Sequence, residues 1–267
     1  MKKILMIATG GTIASKETEE GLAPAISSQE LLSCVPEVAE ACSVDTVQPF
    51  NLDSTNVRAP HWLQIADIIE RNYGIYDGFV VTHGTDTMAY TAAALSYLIQ
   101  NSSKPIVLTG SQKSVYSRDT DARRNLSDAF LFCADDNSYG VRIVFDSSVI
   151  LGTRAKKTRT RSFNAFSSID FPAVAVMREG RPFYYIKGAK PQGGPVFYHS
   201  MDENVFVLKM IPGLSADIFD YLEGHCDGLI IESFGAGGLP NYADDAFFTR
   251  LKGYLAMGKL AVLTTKP

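Results

Sequence analysis

Three short segments of the chain combine glycine with side chains that carry hydroxyl groups. They read Thr-Gly-Gly-Thr at residues 9–12, His-Gly-Thr-Asp-Thr at 83–87 and Thr-Gly-Ser-Gln at 109–112. A hydroxyl becomes a nucleophile when a neighbouring base or charge activates it, and glycine turns can supply the backbone N–H groups that stabilise an oxyanion. Together the segments indicate a site at which a small ligand is bound and attacked.

Taken singly, each segment has an ordinary structural explanation. A Gly-Gly-Thr turn is more often structural than catalytic, and this one lacks the spacing of the common phosphate-binding glycine motifs. Asp86, beside a threonine at a predicted helix start, is typical of an N-cap. His83 has no evident partners for a catalytic triad and is interpreted as a structural histidine. The hypothesis of a site therefore depends on the three segments occurring together.

The three segments follow predicted buried strands at residues 3–8, 78–82 and 105–109. Apolar strands that alternate with helical patterns are typical of a parallel sheet covered by helices on both faces. Ligands bind such sheets beyond the carboxyl ends of the strands, so the segments should lie together. The other predicted elements are helices at 61–72, 88–100, 122–134, 216–222 and 243–257, strands at 44–50, 141–145, 205–210, 228–232 and 260–264, and a hairpin region at 174–177 and 183–186.

The alternation of strands and helices stops after residue 145 and resumes after a glycine- and proline-rich segment at 187–195. The sequence predicts an α/β protein with a large N-terminal domain, residues 1–186, whose mostly parallel sheet lies between helices. Residues 187–204 are predicted to be a linker, and residues 205–267 a smaller C-terminal α/β domain.

Composition argues against several classes of partner. The chain has 267 residues, a hydrophobic share of 46%, a charged share of 20% and a formal net charge of -4. These values favour a globular protein and give no electrostatic reason to expect nucleic acid or a membrane surface as a partner. No stretch is long enough to span a bilayer. The basic run at 154–161 is interpreted as a loop with a solvated face.

The four cysteines lack the spacing of a metal site or a disulfide framework. Reduced and mostly buried thiols are predicted, with no metal and no cofactor. The apolar run after Met1 is too short for a signal peptide, so a cytoplasmic location is expected. The cysteines are Cys34, Cys42, Cys133 and Cys226.

Two of the segments resemble the signature motifs of the bacterial L-asparaginase family: Thr-Gly-Gly-Thr-Ile-Ala at 9–14 and His-Gly-Thr-Asp-Thr at 83–87. The resemblance runs to the end of the chain. The segment Asn-Ala-Phe at 164–166 makes the chain similar to members of the cytoplasmic type I branch. The resemblance implies an amidohydrolase that converts L-asparagine to L-aspartate and ammonia through a threonine acyl-enzyme, with L-glutamine as a possible second substrate. It also implies a homodimer or homotetramer.

The resemblance implies a role for individual residues. Thr12 would be the nucleophile, and Thr85, Asp86 and Lys157 would form a facing catalytic cluster, although Lys156 is adjacent and the register could slip. Asp86 would pair with the substrate ammonium, Ser54 would hold its carboxylate, and Ser111 would lie near its amide. Lys157 must be neutral to act as a base, whereas Asp86 favours its charged form, which leaves its role open. The expected substrate-binding residues are Gly11, Ser54, Thr55, Gly84, Thr85, Asp86 and Ser111.

The sequence departs from the family pattern in three places. Leu22 replaces a tyrosine found in many members, and leucine cannot relay a proton, so another tyrosine, the catalytic lysine or water would take the proton instead. The charged segment 16–21 is predicted to be a mobile lid. Lys156 replaces a threonine of the allosteric site in some type I enzymes, so the resemblance gives no support for allosteric control. Members also continue past the strand predicted at 260–264, so the chain is expected to be truncated, with poor turnover.

Two other functions compete with asparagine hydrolysis. One is a glutaminase or the asparaginase-like subunit of a tRNA-dependent amidotransferase. The other is a non-catalytic protein that binds amino acids, which the leucine at position 22 and the early end of the chain favour. Ammonia release from asparagine and from glutamine distinguishes these possibilities.

Overall fold

A computed structural model of the chain describes residues 1–18, 21–24 and 26–265, and for residues 16–18 and 21–24 it describes the backbone alone. The chain divides into two compact units, Met1–Ser200 and Met201–Pro267. The division falls inside the segment 187–204 that was predicted to be a linker.

The two units contain the following elements. The strands are β1 (Lys2–Ala8), β2 (Ser15–Thr18), β3 (Gly21–Pro24), β4 (Cys42–Val47), β5 (Gly78–Thr82), β6 (Ile99–Gln100), β7 (Pro105–Thr109), β8 (Gly140–Phe145), β9 (Ser148–Leu151), β10 (Ala155–Lys157), β11 (Phe166–Ser168), β12 (Ala175–Arg178), β13 (Arg181–Tyr184), β14 (Val196–Phe197), β15 (Val205–Lys209), β16 (Gly228–Ser233) and β17 (Leu260–Thr265). The helices are α1 (Ser28–Ser33), α2 (Val38–Ala41), α3 (Ala59–Asn72), α4 (Met88–Leu98), α5 (Ala122–Ala134), α6 (Ile218–His225) and α7 (Tyr242–Ala256), with 3-10 turns at Thr12–Ala14 and Ser54–Asn56.

The large sheet of the first unit has the strand order β13-β12-β9-β8-β7-β5-β1-β4. Within this order the adjacent strands β8, β7, β5, β1 and β4 run parallel to one another. β9, β12 and β13 extend the sheet beyond β8 with antiparallel pairing. Because β4 lies on one side of β1 and the later strands on the other, the direction of winding reverses between β1 and β5. A crevice opens at such a reversal beyond the carboxyl ends of the strands. The predicted α/β fold with a mostly parallel sheet is confirmed.

Alternate residues of strand β1, which lies between β4 and β5, face opposite layers of helices. Ile4 and Met6 pack in an apolar core with Phe130 of α5. Leu5 and Ile7 belong to the core on the other face, which α3 and α4 cover. Strand side chains alternate between faces, so burial on both sides requires the continuous apolar run that the sequence shows.

The second unit has a sheet and a core of its own. β15, β16 and β17 are parallel neighbours in that order. Phe219 and Leu222 of α6 pack with Leu251 and Tyr254 of α7 in a buried apolar cluster that includes residues of the strands. Among the described residues of both units, no helix combines the length and the apolar character needed to cross a membrane.

The structure corrects several predicted boundaries. α4 ends at Leu98, because residues 99–100 pair antiparallel with β14 instead of continuing the helix. β4 ends at Val47 rather than at residue 50. Part of the basic run at 154–161 is strand β10, paired with β11, and not only loop. The hairpin predicted near 174–186 is confirmed as β12 and β13. The missed elements are short, and they are stabilised by pairing with other strands rather than indicated by a local apolar period.

Candidate active site

The turn that carries Thr12 follows β1 and depends on two glycines. Gly10 and Gly11 have φ angles of 103° and 79°, a region that side chains rarely adopt. The turn is hydrogen-bonded to Leu52, whose N–H donates to the Thr9 carbonyl at 2.9 Å and whose carbonyl accepts from Gly11 N–H at 3.0 Å. Thr12 then begins a single 3-10 turn beyond the carboxyl end of β1.

Backbone contacts bring this turn against two others. A Cβ atom added to Gly11 would lie 2.4 Å from the Cα of Gly84, and one added to Gly84 would lie 2.7 Å from the Cβ and Oγ of Ser54. The Thr87 hydroxyl also donates to the Ser54 carbonyl at 2.6 Å. Only glycine permits such close approach. The structure therefore brings together the segments that carry Thr12, Ser54 and Gly84.

The Ser54 turn begins with Asp53 as its cap. The Asp53 Oδ1 accepts from the Thr55 backbone N–H at 2.8 Å and from the Thr55 hydroxyl at 2.7 Å. These hydrogen bonds lower the pKa of the Asp53 carboxyl group. Ser54 is only 3% exposed, while Thr55 is exposed, so the two hydroxyl groups differ in their access to solvent.

Lys157 joins the second predicted cluster. Its Nζ donates to the Thr85 hydroxyl oxygen at 2.8 Å and to Asp86 Oδ1 at 2.7 Å. The Lys157 side chain is 12% exposed and that of Asp86 is 60% exposed. Neighbouring residues of a strand point to opposite faces, and Lys156 on β10 is exposed. The structure thus brings Lys157, and not Lys156, to Thr85 and Asp86.

The segment after β7 adds Ser111 and a residue that the sequence reasoning did not single out. Ser111 is buried and its hydroxyl donates to the Lys113 carbonyl. Gln112 accepts a hydrogen bond from the Thr85 hydroxyl at 3.2 Å through its Oε1. Its position directly after Ser111 in the third glycine-hydroxyl segment was the available signal, but its role depends on a contact with Thr85, 27 residues away.

His83 is a structural residue, as predicted. It is completely buried, with Nδ1 2.7 Å from the Gly84 carbonyl and Nε2 2.9 Å from the Thr91 hydroxyl. A carbonyl can only accept, so Nδ1 carries the proton. Trp62 Nε1 donates to the same Thr91 hydroxyl at 2.9 Å. Burial lowers the pKa of His83 to about 4, so the ring is neutral near pH 7 and supports the turn that contains Gly84.

The polar groups of these turns suit a small charged molecule. An ammonium group, a partly exposed carboxylate and several hydroxyl groups are concentrated beyond the carboxyl ends of β1, β5 and β7. Within the part of the chain that the structure describes, no three His, Cys, Asp or Glu side chains are grouped to hold a metal ion. The side chain of Leu22 and the tip of the predicted lid, residues 19–20, lie outside the described residues.

Comparisons with known proteins agree with this arrangement. Residues 3–189 match the family described as asparaginase, N-terminal. L-asparaginase of Thermococcus kodakarensis is 37% identical over 239 residues, covering 89% of this chain and 73% of that protein. L-asparaginase 1 of Escherichia coli K12 is 32% identical over 277 residues, covering 99% and 80%. A glutamyl-tRNA(Gln) amidotransferase subunit of Pyrococcus furiosus is 34% identical over 253 residues, covering 89% of this chain but 57% of that protein.

The solved structures agree with the sequence relatives. The thermostable L-asparaginase from Thermococcus kodakarensis superposes with a TM-score of 0.92 at 35% identity, covering 99% of this chain and 80% of that one. Both the family match and the fold therefore extend over most of the chain. The chain belongs to the asparaginase family and is an amidohydrolase, as its first two glycine-hydroxyl segments predicted.

Proposed function

We propose that this chain hydrolyses L-asparagine to L-aspartate and ammonia, with Thr12 as the nucleophile. The observation that carries the proposal is the backbone contact between Gly11 and Gly84. It holds the Thr12 turn against the turn whose next two residues, Thr85 and Asp86, contact Lys157. A nucleophile and a charged cluster are thereby set on neighbouring strand ends.

The two charged groups of asparagine have complementary partners in this site. Asp86 binds the α-ammonium group, and its exposure leaves it accessible while its Oδ1 contacts Lys157. Ser54 binds the α-carboxylate, since its turn packs against Gly84 beside Asp86, and Thr55 lies next to it with its N–H and hydroxyl bonded to Asp53. The side-chain amide then extends toward Thr12, with Ser111 nearby.

The reaction proceeds through an ester. The Thr12 hydroxyl oxygen attacks the amide carbon, and its proton passes to the amide nitrogen, which leaves as ammonia when the C–N bond breaks. The N–H of Thr12 is the proposed donor for the oxyanion, whereas the Gly11 N–H is already bonded to the Leu52 carbonyl. Water then attacks the ester, which releases L-aspartate and returns the proton to Thr12.

Lys157 and Thr85 move the proton in this scheme. Lys157 Nζ lies 2.8 Å from the Thr85 hydroxyl oxygen and 2.7 Å from Asp86 Oδ1. The substrate ammonium competes for the same carboxylate and places a second positive charge beside Lys157. The substrate ammonium and Lys157 therefore share the Asp86 carboxylate, and Lys157 lies within hydrogen-bonding distance of the Thr85 hydroxyl group for proton exchange.

Ammonia release by the full chain tests the proposal. We expect turnover of L-asparagine, and we expect Thr12→Ala to lower kcat by roughly 10⁴-fold or more without unfolding the protein. Thr12→Ser retains a hydroxyl and should keep measurable activity. Thr153→Ala, at an exposed threonine, is the matched control and should behave like the wild type. Near-normal turnover in Thr12→Ala rejects the mechanism.

Glutamine is the second substrate to measure, because the chain is similar to an amidotransferase component of which it spans 57%. Faster turnover of L-glutamine than of L-asparagine would favour a glutaminase or amidotransferase function. Binding of L-aspartate without turnover of either amide would identify a non-catalytic binding protein.

The proposal includes a homodimer or homotetramer in the cytoplasm. Tyr90 and Tyr97 lie seven residues apart on α4, on the same side of the helix, and are 67% and 66% exposed. All four cysteines are free thiols, as predicted, which suits a reducing compartment. Light scattering of the purified chain tests the oligomeric state, and a monomer mass would contradict the proposed homo-oligomer. Cell fractionation tests the cytoplasmic location.

A further inference from the structure

Gln112 occupies a fixed position beside the candidate site. Its backbone N–H lies 2.9 and 3.1 Å from the two carboxylate oxygens of Asp121, which also accepts from Lys113 N–H at 3.1 Å. Asp121 is 4% exposed and accepts from the Asn125 amide at 3.2 Å. The backbone from which the Gln112 side chain extends is therefore held by a buried carboxylate at the start of α5.

The Gln112 side chain connects two parts of the site. Its Oε1 accepts from the Thr85 hydroxyl at 3.2 Å. Its Nε2 donates to the carbonyls of Thr160 and Ser162, each at 3.0 Å. A primary amide has two N–H donors, so both are used. One side chain thus links the strand end after β5 to the segment that follows Lys157.

These contacts determine how Thr85 faces Lys157. The Thr85 hydrogen points to Gln112, which turns a lone pair of the Thr85 oxygen toward Lys157 Nζ at 2.8 Å. The segment between β10 and β11 has internal hydrogen bonds, such as Thr158 N–H to the Ala165 carbonyl at 2.9 Å. Such bonds shape the hairpin, and Lys157 itself bonds to Thr85 and Asp86. Gln112 adds a second attachment, to the carbonyls of Thr160 and Ser162.

We infer that Gln112 is a positioning residue for the amide hydrolysis, acting through Thr85 and through the segment that carries Lys157. This inference rests on the proposed function for its effect on the rate. Loss of the amide would free the Thr85 hydroxyl to rotate and would detach the carbonyls of Thr160 and Ser162 from the side chain at position 112. Because the hydrogen bonds of the Gln112 side chain go to Thr85, Thr160 and Ser162 and not to Ser54 or Asp86 among the described residues, the chemical step would be impaired more than substrate binding.

Two substitutions separate the contacts. Gln112→Met removes the acceptor and both donors at similar length. Gln112→Glu keeps an acceptor for Thr85 but replaces the donors with an oxygen facing the carbonyls of Thr160 and Ser162. Gln100→Met and Gln100→Glu are matched controls at an exposed glutamine.

Steady-state kinetics gives the first readout. We expect Gln112→Met to lower kcat by about 100-fold with KM within about threefold, as for a misplaced catalytic group. The effect should be smaller in a Thr85→Val background, because the part that acts through Thr85 is then absent and the two substitutions are not additive. Equal losses in kcat and in 1/KM, or full additivity with Thr85→Val, would overturn the inference.

Amide hydrogen exchange over residues 157–165 gives a readout that needs no turnover. We expect faster exchange there in both Gln112 variants than in the wild type and in the Gln100 controls. Unchanged exchange overturns the inference even if the enzyme is active. If the wild type releases no ammonia but exchange increases in the variants, the attachment through Gln112 stands and the proposed function fails.

Discussion

Gly11 and Gly84 are in direct backbone contact, since a Cβ atom on Gly11 would lie 2.4 Å from both the Cα and the N of Gly84. The two glycines end neighbouring parallel strands, β1 and β5, on either side of the point where the order of the sheet reverses. The contact brings the residues that follow them, Thr12 and Thr85, to the same crevice.

A side chain at Gly84 should disrupt this packing. In Gly84→Ala the new methyl group would lie 2.7 Å from the Cβ and Oγ of Ser54, so the turns must separate. We expect a loss of about 1–3 kcal/mol in the free energy of unfolding, typical of overpacking, and a larger proportional loss of ammonia release. Gly74→Ala is the control, because no atom lies within 4 Å of its added Cβ. Urea unfolding and turnover of both variants check this, and indistinguishable variants would contradict it.

The two adjacent lysines should differ in their effect on catalysis. Lys157→Met removes the group that contacts Thr85 and Asp86, and we expect kcat to fall by about 10²–10⁴-fold, the range for loss of a proton-transfer group. Lys156→Met, on the exposed side of β10, should leave kcat nearly unchanged. Steady-state ammonia release measures both, and equal effects or the reverse order would rule out Lys157 as the catalytic lysine.

Asp86→Asn should weaken binding of the product L-aspartate, because the variant cannot pair with the α-ammonium group. Since Asp86 is 60% exposed, we expect the low end of the range for a broken charge pair, about 2 kcal/mol or about 30-fold in Kd. Asp67→Asn, at a surface pair with Arg71, is the control. Isothermal titration measures the affinity, and an unchanged Kd in Asp86→Asn would remove this residue from the site.

His83 should make folding stability depend on pH. Burial lowers its pKa to about 4 from 6.5, so between these values the unfolded chain binds a proton that the folded protein excludes. The stability that neutral His83 maintains is complete above about pH 6.5 and decreases by about 3 kcal/mol as the pH falls to about 4. His83→Gln should be less stable near pH 7 but lose less stability on acidification.

Unfolding by urea at several pH values measures this difference. His199→Gln removes a histidine whose side chain is 70% exposed, and it should keep the pH dependence of the wild type. Parallel pH profiles for His83→Gln and the wild type would show that His83 does not exclude the proton.

The sequence by itself determined the fold class, the strands β1, β5 and β7, and the glycine-hydroxyl segments at their ends. These features are local: burial on both faces requires continuous apolar runs, and the turns require glycine. Short elements such as α1, α2 and β9 were not predicted, because segments of four to six residues lack a resolvable period.

Only the tertiary structure decided which side chains meet. Lys156 and Lys157 are equivalent by composition, and the pairing of β10 with β11 determines that Lys157 lies at Thr85. The link from Gln112 to Thr85 and to the hairpin after Lys157 spans 27 to 50 residues of sequence. Such contacts depend on the close packing of separate turns, which is a property of the folded backbone and has no local pattern in the chain.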